Sequence, residues 1–96
     1  MSAAEAERQS RLSGEEMLKR AAAIVAGRRQ SYGDPPGFMT ALAERWSITL
    51  GCPITPAQVV LCLIDLKLAR LGHDPAHADS ILDVAGYAAV LEEVRR

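Results

Sequence analysis

An all-α fold, a four-helix bundle, is predicted by three features of this chain. Apolar residues recur at helical spacing in four segments, helix start and stop signals separate those segments, and no run alternates with the period of two that a strand requires. The third segment is apolar almost all round and is expected to form the central helix, folded back on the fourth as an antiparallel hairpin. A length of 96 residues fits one small domain, over 13–96, with 1–12 a flexible polar segment.

Each element has its own signals. Ser13 and Glu16 form a capping-box pattern ahead of Met17, Leu18, Ala21, Ala22, Ile24 and Val25, so helix 1 is expected over about Gly14–Ala26, with Gly27 as its stop. Gly33, Pro35, Pro36 and Gly37 then break regular structure, and Asp34 before Pro35 reads as an N-cap. Helix 2 follows from about Pro36 to Leu50, with Phe38, Ala41, Leu42, Trp46 and Thr49 along one side. Thr55 and Gln58 form a second capping box with proline at the first helical position, starting a helix that runs to about Leu71. His73 to His77 is a turn, and helix 4 runs from Ala78 or Asp79 to the C-terminus.

Composition excludes several function classes. A net charge of −1 argues against bulk nucleic-acid binding, which needs a basic face. No apolar run approaches the roughly 18 residues of a membrane span, and no secretory leader pattern is present. Cys52 and Cys62 make no metal or disulfide framework. Cys62 reads as a small core residue and Cys52 as partly exposed, and two free thiols fit the cytoplasm. Only 4% of residues are aromatic, so small aliphatic side chains must build the core, and a homo-oligomer is expected to add stability.

Chemistry is concentrated where charges interrupt apolar helices. Lys67 and Arg70 share a face of helix 3, and Asp79 and Asp83 share a face of helix 4. The hairpin is expected to bring Arg70 to Asp79 and Lys67 to Asp83. Two readings stand: a charge ladder that locks the hairpin register, or a site in which the carboxylates hold Mg²⁺ or the cations hold a phosphate, with Tyr87 adding a hydroxyl. A second candidate is the loop Arg28 to Asp34, where Arg28, Arg29 and Tyr32 would clamp a phosphate or stack on a base. The bland alternative is that its arginines complement a helix dipole. Gly86, in mid-helix, implies a close neighbour or ligand. His73 and His77 straddle Pro75 and do not form a helical metal pair, and Trp46 reads as a core anchor.

Taken together, Arg29, Tyr32-Gly33-Asp34-Pro35, Phe38, Trp46, Ile54-Thr55, Lys67 to Arg70, and Asp79-Ser80 with Asp83 and Gly86-Tyr87-Ala88 resemble a family of small helical proteins of unknown function, encoded mainly by phages and prophages. The resemblance covers roughly Met17–Leu91 and departs at Gly37, where relatives typically carry Asn. A more distant similarity is to the all-α nucleoside triphosphate pyrophosphatases of the MazG type, which are oligomeric and Mg²⁺-dependent. In that comparison Asp83 matches the terminal acid of a Glu-x-x-Asp pair, but Ser80 stands where its Glu would be, and Glu15 and Glu16 are adjacent instead of three apart. The resemblance therefore implies a related fold with an incomplete metal set.

Three functions are expected in consequence. The leading one is a non-catalytic, phage-type accessory protein that binds a phosphate-bearing small molecule such as a nucleotide, without a cofactor, through Arg28, Arg29, Tyr32, Lys67, Arg70, Asp79, Asp83 and Tyr87. The alternatives are a divergent Mg²⁺-dependent pyrophosphohydrolase using Asp79 and Asp83, and a structural or protein-interaction module with a charge lock.

Overall fold

In a computed structural model, Ser2 and residues 12–95 are described, the side chain of Tyr32 excepted. Most of the expected flexible segment 1–12 lies outside the described residues. Four helices follow: α1 Gly14–Tyr32, α2 Pro35–Leu50, α3 Pro56–His73 and α4 Ala78–Val94. No strand occurs among the described residues.

The N-terminal signals act largely as their residue types dictate. At α1 the Ser13 hydroxyl accepts from Glu16 N–H at 3.1 Å but donates to the Glu16 carboxylate at 3.0 Å, so the reach-back ends on the hydroxyl and not on the backbone. At α3 the capping box is complete, with Gln58 N–H on the Thr55 hydroxyl and Thr55 N–H on the Gln58 amide oxygen. Asp34 occupies the N-cap position of α2, yet its side chain makes no capping bond. The α2–α3 turn is held by Ser47, whose hydroxyl donates to Ala43 C=O at 2.7 Å and accepts from Ile54 N–H at 2.9 Å. Gly51 closes α2 in the left-handed conformation at φ 70°, which favours glycine.

One boundary differs from expectation in a way that matters. α1 does not stop at Gly27 but continues to Tyr32, ending at Gly33 with φ 83°. Gly27 faces open space, with nothing within 4 Å of where a Cβ would stand. A single solvent-facing glycine costs about 1 kcal/mol, which Arg28, Arg29 and Gln30, all good helix formers, can outweigh. Arg28 and Arg29 are therefore carried on a rigid helix and not on a loop.

The core consists of Met39 and Ala43 from α2, Val59 and Val60 from α3, and Val90 and Val94 from α4, with Trp46 packed against it as an anchor. The inward side of α2 thus runs through Met39, Leu42, Ala43 and Trp46, whereas Phe38, Ala41 and Thr49 are exposed. α3 and α4 form the expected hairpin, and α3 supplies the two fully buried valines. The hub, however, is α4: it packs on α1, α2 and α3, while α3 packs on α2 and α4. The uncovered side of α3 leaves Leu61, Leu66 and Leu68 about half exposed, and the Cys62 thiol, expected in the core, lies on that exposed side.

Candidate functional site

A cavity of about 260 Å³ opens where all four helices meet. α1 contributes Ile24, Val25 and Arg28, and the following turn contributes Gly33 and Pro35. α2 adds Phe38, Met39 and Leu42, and α3 adds Leu63. α4 forms the remaining wall with Asp83, Gly86, Tyr87 and Val90. The walls are predominantly aliphatic, with a few polar groups, which is the usual make-up of a small-molecule site.

Spacing along α4 explains that wall. Asp83, Gly86, Tyr87 and Val90 lie at i, i+3, i+4 and i+7, hence on one face. On α1, Val25 and Arg28 are three apart and look into the same space. The extension of α1 beyond Gly27 is what delivers Arg28 to the cavity.

Asp83 is the polar centre of the site. One of its oxygens, Oδ2, lies 3.0 Å from Lys67 Nζ, and both side chains are largely buried, at 16% and 23% exposure for Lys67 and Asp83. Lys67 reaches Asp83 from α3 and does not itself line the cavity. Arg29 is committed elsewhere: it binds Glu93 of α4 and approaches Asp34 at 3.9 Å, tying the end of α1 to the end of α4. Among the described residues no ion pair engages Arg28.

Of the eight residues proposed from the sequence, the cavity gathers Arg28, Asp83 and Tyr87, with Lys67 behind Asp83. Arg29 stands outside it, and the side chain of Tyr32 lies outside the described residues. Arg70 and Asp79 are both exposed, and no ion pair joins them among the described residues, so the expected second rung of the ladder is not formed. Arg70 lies instead beside His73 and His77 at the hairpin end. The reason is the turn itself. Asp74 Oδ1 accepts from Ala76 N–H, and His77 caps α4 by accepting from Ser80 N–H through Nδ1 at 3.2 Å. That ring also bonds the fully buried Ser80 hydroxyl at 2.7 Å. A histidine cap is outside the usual Ser, Thr, Asp and Asn set, so residue type alone does not signal it.

The carboxylates do not fit Mg²⁺. Asp83 is already paired with an ammonium group that would repel a dication. Asp79 is exposed, and no group of three or more His, Cys, Asp or Glu side chains is placed to hold a metal among the described residues.

Gly86 is the least expected member of the site. A Cβ built there would meet only Val25 Cγ2, at 3.5 Å, an ordinary van der Waals contact. Helix packing therefore does not require glycine at this position, although glycine costs about 1 kcal/mol against alanine inside a helix. Its effect is to leave room in the cavity wall.

Comparison with known proteins gives the chain its relatives. The chain is 37% identical over 81 residues to the Gene 55 protein of Mycobacterium phage L5, covering 82% of this chain and 52% of that protein. It is 32% identical over 81 residues to the Gene 55 protein of Mycobacterium phage D29, covering 83% and 54%. The chain thus spans about half the length of the curated relatives it matches. No solved structure matches it. These relatives bear out the likeness to phage proteins and add nothing to the remoter MazG likeness. A family model matches residues 16–95, nearly all of the described helices, and the chain belongs to that family, a domain of unknown function designated DUF6378.

Proposed function

We propose that this domain is a phage-type, non-catalytic binding module for a small phosphate-bearing molecule such as a nucleotide, seated in the four-helix cavity. The observation that carries this reading is the cavity itself: a preformed apolar chamber with one uncommitted cation, Arg28, among its lining residues. At about 260 Å³ it is smaller than the roughly 300–1,000 Å³ of drug-sized sites, so it accommodates the body of a nucleobase but not a whole triphosphate. The phosphate would remain outside, against Arg28. Lys67, previously a candidate phosphate ligand, instead holds Asp83.

A second reading has its own observation. The Lys67–Asp83 pair joins α3 to α4 and acts as a register lock whether or not a ligand binds. The two roles are compatible. The Mg²⁺-dependent pyrophosphohydrolase has no such support, given the donor set described above. Self-association remains part of the proposal, because Leu61 and Leu68 are seven apart on the uncovered side of α3 and both exposed; sedimentation velocity reads it directly.

The test is a thermal-shift screen against nucleotides, cyclic nucleotides and dinucleotides, with and without Mg²⁺. A stabilising ligand that needs no Mg²⁺ and is recovered intact supports the binding module. A ligand that is consumed only with Mg²⁺ would overturn it in favour of the enzyme.

A further inference from the structure

Two features of the cavity are unexplained by the folded chain alone. Gly86 is a glycine that no neighbour demands, placed in the wall of the one chamber where all four helices meet. Asp83 lines the same chamber, and Lys67 approaches it at Oδ2. Among the described residues, no hydrogen bond engages the other oxygen, Oδ1. No side-chain nitrogen or oxygen among the described residues is both fully buried and unpartnered, so this oxygen is reached from open space.

An ionised carboxylate only accepts hydrogen bonds. With Lys67 already balancing its charge, the unpartnered oxygen calls for a neutral N–H or O–H donor and not for a second cation. Gly86 lines the chamber between Asp83 and Val90 without a side chain. Val25 bounds it from α1, and Phe38, 46% exposed, brings an aromatic ring from α2. An exposed aromatic face favours an aromatic partner.

We propose that the part of the ligand buried in this cavity is a planar nitrogen heterocycle that lies against the Gly86 backbone and donates an N–H to Asp83 Oδ1. This rests on the reading of the cavity as a ligand site and adds the chemistry by which the ligand is chosen. Asp83 is the recognition residue. Lys67 is a positioning residue, which fixes the carboxylate through Oδ2 so that Oδ1 is presented. Val25 closes the chamber beside Gly86, Phe38 offers an aromatic face, and Gly86 leaves the wall without a side chain. Rings without a donor at the matching edge are rejected, because they bury Oδ1 of Asp83 without a hydrogen-bond donor.

The experiment uses matched probes on the full chain: guanosine 5′-monophosphate against its 1-methyl analogue, uridine 5′-monophosphate against its 3-methyl analogue, and indole against 1-methylindole. Binding is read by calorimetry and by saturation-transfer NMR. In at least one pair the N–H member should bind tenfold or more tightly than the N-methyl member, as expected for loss of a hydrogen bond to a charged group. That preference should vanish in Asp83→Asn, and Gly86→Leu should abolish binding of both members while far-UV circular dichroism stays unchanged. Gly86→Ala is the milder companion variant, weakening both members without removing the preference. Equal binding of every N–H and N-methyl pair, still abolished by Gly86→Leu, would overturn the donor rule and leave the ligand site standing. Failure of all six probes to bind would overturn both.

Discussion

At the scale of single residues, the Lys67–Asp83 pair joins α3 to α4 and is the proposed point of recognition. The two side chains are mostly buried but not sealed, so their coupling should fall between the values typical of surface and buried pairs. Lys67→Met and Asp83→Asn are each expected to lower unfolding stability by about 1–3 kcal/mol. A double-mutant cycle in urea should return a coupling of about 1–2 kcal/mol. Additive effects of the two substitutions would mean that the pair locks nothing. Gly86 shows the opposite balance. Gly86→Ala should raise the stability of the free protein by about 0.5–1 kcal/mol, since the added methyl meets only Val25 at ordinary contact distance. A destabilised Gly86→Ala protein would show that the backbone approach there is structural and would remove the case for a glycine kept for a ligand.

At the scale of elements, capping and turns decide where the site residues stand. Ser47 is half-buried and bridges α2 to the turn before α3 through two hydrogen bonds, so Ser47→Ala should cost about 1–2 kcal/mol in chemical denaturation. No loss would mean that Gly51 alone holds that turn. Four helices, the Ser13 cap, the capping box at Thr55 and the α3–α4 hairpin were legible in the sequence because they rest on local signals: Ser13, Thr55 with Gln58, and periodic apolar residues. The end of α1 was not legible, because a glycine is a stop only where nothing downstream favours continuation, and Arg28 to Gln30 do. The exposure of Cys62 was equally hidden. α3 is apolar nearly all round, and only the placement of its neighbours decides which side is covered. The same applies to the site. Local spacing paired Lys67 with Asp83 correctly, but the Arg70–Asp79 rung failed because the path of the turn, fixed by Asp74 and His77, cannot be read from i,i+4 arithmetic.

At the scale of the whole molecule, the arrangement around α4 creates the cavity. Because α4 touches each of the other helices, one of its faces can gather side chains from all of them. Gly86 on that face withholds the side chain that would otherwise fill the space. No helix among the described residues is long and apolar enough to cross a membrane. The most direct measurement of the central claim is the thermal midpoint of the wild-type and Gly86→Leu proteins across the nucleotide panel without Mg²⁺. A ligand at 100 times its dissociation constant stabilises the native state by about 2.7 kcal/mol. For a domain of this size that is a rise of about 10 °C or more. The expected result is such a rise in the wild-type protein, with the ligand recovered intact, and none in Gly86→Leu. Equal shifts in both proteins, or none in either, would contradict the assignment of the cavity as the ligand site.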